Sequence, residues 1–186
     1  VGSEMCIRDR NRNIVAMFSD YPKADVNLIA EPEYVTYESR DGIMIPGYLT
    51  MPRQAPAKKL PTVILPHGGP YARDNGEFDY WVQYFVAKGY AVLQPNFRGS
   101  TGYGDKFMLA GYEEWGEKMQ TDLDDGLAWL IERGITDPDR VCMVGGSYGG
   151  YASLVAGYKE PEKYKCVVAF APVTDLSLIH ISEPTR

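Results

Sequence analysis

The sequence predicts an α/β fold, a mostly parallel sheet with helices on both faces, and three observations carry that reading. Residues 62–65, 90–93, 140–144 and 166–170 are short apolar runs, the pattern of strands buried on both faces. Between them lie helical patterns: residues 77–88 line up Phe78, Trp81, Val82, Phe85 and Val86, and residues 119–133 repeat Leu123, Leu127, Leu130 and Ile131 at three- and four-residue steps. The alternation of strand and helix at this spacing is what parallel sheets require, because each crossover must pack back onto the sheet.

Taken in order, residues 34–38 alternate as a strand, and Ser39-Arg40-Asp41-Gly42 reads as a turn. Residues 43–51 alternate again around Ile43, Ile45, Leu49 and Met51; Pro46 inside that run points to an edge strand or a bulge. Residues 54–59 are a polar surface loop. The buried strand 62–65 follows, then the helix 77–88, closed by Gly89. Strand 90–93, helix 119–133, strand 140–144, helix 148–158 and strand 166–170 complete the chain.

Composition bounds the function. The chain has 186 residues, 45% hydrophobic and 24% charged, the make-up of one globular domain. Nineteen basic against 25 acidic residues give a net charge of −6, which argues against nucleic acid or an anionic membrane surface as partner. No apolar run has the roughly 18–20 residues of a membrane span, and the start lacks a basic-then-apolar leader pattern. Three cysteines without a CxxC pair indicate neither a disulfide framework nor a zinc site, and no metal or cofactor is expected. Cys142 and Cys166 fall in predicted buried strands, as small apolar core residues rather than reactive thiols. Asp122, Asp124 and Asp125 read as the solvated face and cap of a helix, since the remaining ligands of a calcium loop are missing.

The two ends differ from the body. Codons for residues 1–10 can be written so that their DNA string is contained in the reverse complement of a string encoding residues 176–186, and the shared word resembles a transposase-type sequencing adapter. Residues 1–10 and 176–186 are therefore expected to be adapter-derived, and neither reads as a periodic element. Residues 11–32 are expected to be a linker or the remnant of a preceding domain, and 33–175 an incomplete α/β domain. With the natural start removed, the compartment stays open, the cytoplasm being the default.

The chemistry lies at strand ends. Gly145-Gly146-Ser147-Tyr148-Gly149 is a G-x-S-x-G motif with an apolar strand before it and a helix after it. A nucleophile there sits on a sharp turn with its Oγ exposed, and side chains two positions before and after would collide, hence Gly145 and Gly149. The N–H of Tyr148 would face a developing oxyanion. A plain Gly-rich turn is the alternative; the phosphate-loop patterns are not matched. His67-Gly68-Gly69-Pro70 follows a buried strand, where such loops supply the other oxyanion N–H; Gly69 is the candidate donor. His67 precedes the serine, contrary to the Ser, Asp/Glu, His order of this architecture, and is expected to brace the loop rather than act as base. In the third stretch, Asn96-Phe97-Arg98-Gly99-Ser100-Thr101-Gly102-Tyr103-Gly104, Arg98 would anchor a compact loop on a carboxylate. Glu113 to Gly116 could line the pocket or pack through Trp115, and Tyr148 or Tyr151 would touch substrate.

HGGP, NFRGSTGYG and GGSYGGY, in this order, resemble the prolyl oligopeptidase family of serine peptidases, and within it the acylaminoacyl-peptidase and dipeptidyl-peptidase-like branch. The resemblance runs from about Glu33 to Asp175. It implies an α/β-hydrolase domain, a Ser–Asp–His triad, short-peptide substrates and a preceding β-propeller. By it, Ser147 is the nucleophile and Tyr148 and Gly69 the oxyanion donors, with Gly145, Gly149, His67, Gly68 and Arg98 in support. No residue matches the triad Asp or His. Only 39 residues follow Ser147, and one strand–helix–strand unit takes about 30 or more. The sheet is thus expected to stop after the strand following the nucleophile helix, leaving an apolar edge and poor solubility. Asp175 and His180 are formal substitutes for the missing pair, weakened by the place of His180 in the C-terminal segment. The expectation is a serine peptidase domain inactive as written; the alternatives are an esterase- or lipase-like hydrolase and a non-catalytic binding domain of the same fold.

Overall fold

The structure is a computed structural model that describes residues 4–8, 14–19, 25, 27, 29–53 and 58–174. The tip of the surface loop, residues 54–57, lies outside the described residues. Strand β1 (Glu4–Arg8) pairs antiparallel with β2 (Ile14–Ser19) as a separate two-stranded sheet. This differs from the aperiodic reading of the first residues: Met5-Cys6-Ile7 and the apolar run of β2 suit a strand ladder whatever their origin.

The main sheet holds β3 (Glu33–Glu38), β4 (Met44–Thr50), β5 (Leu60–Ile64), β6 (Ala91–Pro95), β7 (Thr136–Gly146) and β8 (Cys166–Phe170). Their order is β3-β4-β6-β5-β7-β8. The pairs β3/β4 and β4/β6 are antiparallel; β6/β5, β5/β7 and β7/β8 are parallel. The expected α/β-hydrolase arrangement is present. Pro46 corrects one expectation, because β4 is flanked on both sides and is not an edge strand. Its pairing to β6 begins only at Gly47, and the Pro46 carbonyl accepts from Asn96 N–H beyond the end of β6 (2.8 Å). The missing N–H therefore falls where the ladder has already ended.

Helices cover both faces. On one face, α3 (Lys118–Glu132) and α4 (Tyr148–Lys159) bury Leu123, Leu127, Leu130, Tyr148 and Ala152 against Tyr37, Ile64, Leu93 and Met143. On the other, α1 (Tyr80–Ala87) buries Val82 and Val86 against Val63, Val92 and Val144. Consecutive residues of β5, β6 and β7 thus serve opposite cores, which is why these strands read as continuous apolar runs. The first helix starts later than residue 77 because Asp79 caps it, accepting from Trp81 N–H (2.7 Å) and Val82 N–H (3.1 Å). A short helix, α2 (Asp105–Leu109), lies in the loop after β6 and carries no apolar periodicity by which to read it.

Two further expectations are corrected. The cysteines are not thiols in a buried core: they are opposite one another in β7 and β8, Cα to Cα 4.7 Å, and form a disulfide. Cys166 is exposed and Cys142 half-buried, because β8 has only β7 beside it among the described residues. Its outer side chains, Val168 and Phe170, border an open apolar groove of about 530 Å³ with Tyr80, Trp81, Tyr84, Phe85 and Val144. The acidic residues of α3 do not form a solvated face either. Asp122 and Asp124 are buried, 0% and 4% exposed, each with a distant partner. Tyr164 Oη donates to Asp124 (2.7 Å), and Arg98 holds Asp122. Asp125 is half-buried under the exposed Arg40, with which it pairs at 2.6 Å.

Close packing of α3 on the sheet yields a prediction against helix propensity. A methyl group at Gly126 would sit 2.7 Å from Tyr37 Oη and 3.0 Å from Leu93 Cδ2. The Tyr37 ring cannot yield, since its hydroxyl donates to the Asp122 carbonyl (2.8 Å) and its face stacks on Trp129. Gly126→Ala, ordinarily worth about 1 kcal/mol of stabilisation in a helix, is expected to destabilise by about 1–3 kcal/mol through overpacking. Urea denaturation followed by tryptophan fluorescence checks this; a raised midpoint contradicts it.

Candidate active site

Strands β5, β6 and β7 are parallel neighbours, so the segments that follow them leave the sheet at the same end. Those segments hold the three motifs. At the end of β7 the chain turns straight into α4. Ser147 occupies the turn with φ +54° and ψ −118°, a conformation rarely tolerated outside glycine, and its side chain is exposed. The turn is fixed from both ends: Ser147 N–H donates to the Phe170 carbonyl and the Ser147 carbonyl accepts from Tyr151 N–H, each at 3.0 Å. The flanking glycines are sterically required. A Cβ at Gly145 would lie 2.8 Å from Gly149 Cα and closer to its carbonyl, and a Cβ at Gly149 would run into the Pro66 carbonyl. Tyr148 is the first residue of α4, so its N–H has no partner within the helix.

The Tyr148 ring points inward, 1% exposed, against Phe97 (5.3 Å between ring centres) and Trp115 (4.8 Å). Trp115 thus packs against the buried Tyr148 ring, which leaves Tyr148 only its backbone at the turn. Tyr151 is half-buried beside both.

The loop after β5 lies directly over the turn. A Cβ at Gly68 would be 3.5 Å from Ser147 Cβ and 3.4 Å from the Gly146 carbonyl. Gly69 follows with φ +123° and a cis peptide bond to Pro70; a Cβ there would meet Tyr71 N at 2.8 Å. Crowding within its own loop and its positive φ require glycine at 69, whereas a Cβ at 68 would make only ordinary van der Waals contact with the serine turn. His67 stacks on Phe97 with ring centres 4.4 Å apart. Burial pushes its pKa down to about 4, against the pull of its hydrogen bond to the Gly68 carbonyl, so the ring is neutral at pH 7. Its Nδ1 donates to Gly68 O (2.7 Å) and its Nε2 pairs with Ser100 Oγ (2.9 Å), which also lies 2.6 Å from the Phe97 carbonyl. Both ring nitrogens are engaged in holding loops together.

Arg98, in the loop after β6, is 2% exposed and donates to two carboxylates. Its Nε and Nη2 reach Asp122 at 2.9 and 2.7 Å; its Nη1 and Nη2 reach Asp41 at 2.7 and 2.8 Å. Burial opposes its charge, but the hydrogen bonds to Asp122 and Asp41 outweigh that and hold the guanidinium above its ordinary range. The Arg98 hydrogen bonds, then that of Ser39, hold Asp41 well below the usual carboxylate range. Burial raises Asp122 against the pull of Arg98.

Asp175 and His180 lie outside the described residues. Among the described residues no acid or base is hydrogen-bonded to Ser147 Oγ, and no cluster of His, Cys, Asp or Glu could hold a metal ion. No helix is long and apolar enough to cross a membrane among the residues described. Residues the sequence reading missed are Asp74, Asp41 and Asn96. Only Asn96 carried a signal, as the first residue of a motif in which Arg98 alone was given a role. Asp74 borders a cavity of about 300 Å³ with His67, Gly68, Asp79, Gln94 and Gly146.

The family model of the prolyl oligopeptidase family matches residues 76–184. Dipeptidyl aminopeptidase BIII of Pseudoxanthomonas mexicana is 38% identical over 178 residues, covering 92% of this chain and 26% of that protein. Dipeptidyl peptidase family member 6 of Caenorhabditis elegans is 35% identical over 87% of this chain and 26% of its own length. Among solved structures, a puromycin hydrolase superposes with a TM-score of 0.79 at 29% identity, covering 89% of this chain and 25% of that one. The chain spans about a quarter of the length of these relatives.

Asp74 supplies a pH test of the loop. Burial, then the negative charge of Asp79, push its carboxyl up to about 7, while Gln94 pulls the other way; its Oδ2 is buried without a hydrogen-bond partner. A raised carboxyl stabilises the fold fully below its unfolded value of about 4, and that contribution is lost as pH rises through about 7. Asp74→Asn is therefore expected to gain stability relative to wild type between pH 4 and pH 8. Melting temperatures across that range check it; a constant difference contradicts it.

Proposed function

Because the chain belongs to the prolyl oligopeptidase family, we propose that it is the nucleophile-bearing part of a serine peptidase domain acting on short peptides. One observation carries the reading: an exposed serine at positive φ, on a glycine-flanked turn from β7 into α4, lying under the Gly68–Gly69 loop. Ser147 Oγ attacks the scissile carbonyl, and the tetrahedral oxyanion is held by the N–H groups of Tyr148 and Gly69. Gly145 and Gly149 permit the turn, and His67, Gly68 and Arg98 keep the oxyanion loop and its neighbour in place. The names of the relatives, a dipeptidyl aminopeptidase and a puromycin hydrolase, support small amide substrates.

A serine hydroxyl is a weak nucleophile until a base removes its proton. We assign that base, and the acid that orients it, to residues beyond the described chain in a longer parent protein. Residues 1–10 and 176–186 are proposed as adapter-derived, 11–32 as linker or remnant of a preceding domain and 33–175 as the incomplete hydrolase domain. The 186-residue chain as written is then inactive.

A fluorophosphonate probe tests this. The full-length enzyme is expected to be labelled at Ser147, with Ser147→Ala losing on the order of 10⁶ in kcat, and the 186-residue chain is expected to stay unlabelled. Labelling elsewhere, or undiminished activity in Ser147→Ala, contradicts the assignment.

A further inference from the structure

We propose that Asn96 and Ser100 are positioning residues for the oxyanion loop, so that the NFRGSTGYG segment, which touches no reacting atom, sets the distance between Gly69 N–H and Ser147. The proposal rests on the nucleophile reading above. Three ties join this segment to the loop after β5. Asn96, 0% exposed, spends its whole amide on one residue and a neighbour. Its Oδ1 accepts from Asp74 N–H (2.8 Å), and its Nδ2 donates to the Asp74 carbonyl (3.0 Å) and to Tyr103 Oη (2.8 Å). Thr101 N–H donates to the Ala72 carbonyl (2.9 Å). Ser100 Oγ, also 0% exposed, pairs with His67 Nε2 at 2.9 Å.

These ties fall on both sides of Gly68–Gly69: His67 on one, Ala72 and Asp74 on the other. Between them the loop has little of its own to fix it, one backbone bond from Ala72 N–H to the Pro70 carbonyl and the His67–Gly68 contact. Its shape is thus borrowed from the segment after β6. That segment is itself immobilised: Asn96 N–H bonds to the Pro46 carbonyl, and Arg98 is clamped by Asp122 and Asp41. Only an amide fits position 96, since it presents one acceptor and two donors at once. Replacing it leaves a backbone N–H and a carbonyl at Asp74 without partners.

An oxyanion donor acts in the transition state, where losing one costs about 10²–10³ in kcat. Loosening the loop should therefore lower kcat while leaving substrate affinity alone. In the full-length enzyme, Asn96→Ala is expected to lose about 10–100-fold in kcat with KM within about threefold, and Ser100→Ala to lose less in the same direction. Ser147→Ala runs beside them. If Ser147→Ala is dead and both positioning variants keep wild-type kcat, the proposal is overturned and the nucleophile reading stands. If Ser147→Ala stays active, both fall. If the variants change only KM or only melting temperature, the residues are merely structural and the proposal is overturned. Should Asn96→Ala fail to fold, Ser100→Ala, which removes one hydroxyl, gives the same readout.

Discussion

The buried guanidinium of Arg98 is the interaction on which the arrangement depends. A charge 2% exposed is costly unless fully paired, and removing one partner of such a pair typically costs about 3–5 kcal/mol. Here the planar fork meets Asp122 on α3 and Asp41 in the β3–β4 turn, while the Arg98 N–H also donates to Asp122 (3.0 Å). Lysine offers no such fork. One side chain thus fixes a helix, a hairpin turn and the loop after β6 relative to one another. The loop after β5 is then tied to that loop through Asn96, Ser100 and Thr101.

The serine turn is built by different means. It owes its shape to close packing, with Gly145 against Gly149 and Gly149 against Pro66, and to the ladder of β7 between β5 and β8. A non-glycine residue at φ +54° costs of order 1–3 kcal/mol, which only over-determined surroundings can hold. The two halves of the site, one held by a buried ion pair and one by packing, meet because parallel strands deliver their loops to one end of the sheet.

The strands of the sheet were legible because β5, β6 and β7 bury both faces and therefore show uninterrupted apolar residues. The serine turn was legible because only glycine fits beside it. What failed were features set by partners distant in sequence. Asp122 and Asp124 read as surface carboxylates until Arg98 and Tyr164 are folded against them. Cys142 and Cys166 lacked any spacing signal, since their pairing depends on the register of β7 with β8. Pro46 misled because what matters is where the β6 ladder ends, not the strand's rank in the sheet. Arg98 was legible as an anchor, but not which carboxylates receive it.

In the proposed function, this chain carries the nucleophile and oxyanion donors of a peptidase, and the acid and base lie further along the parent polypeptide. Long-read sequencing of the source DNA across codons 175 and 176 tests it most directly. The predicted result is an open reading frame that departs from the adapter word after codon 175 and continues into further strand–helix units bearing a later Asp and His. A frame that reads through Leu176 to Arg186 and stops would contradict it, leaving Ser147 to find its base in His180 or to have none.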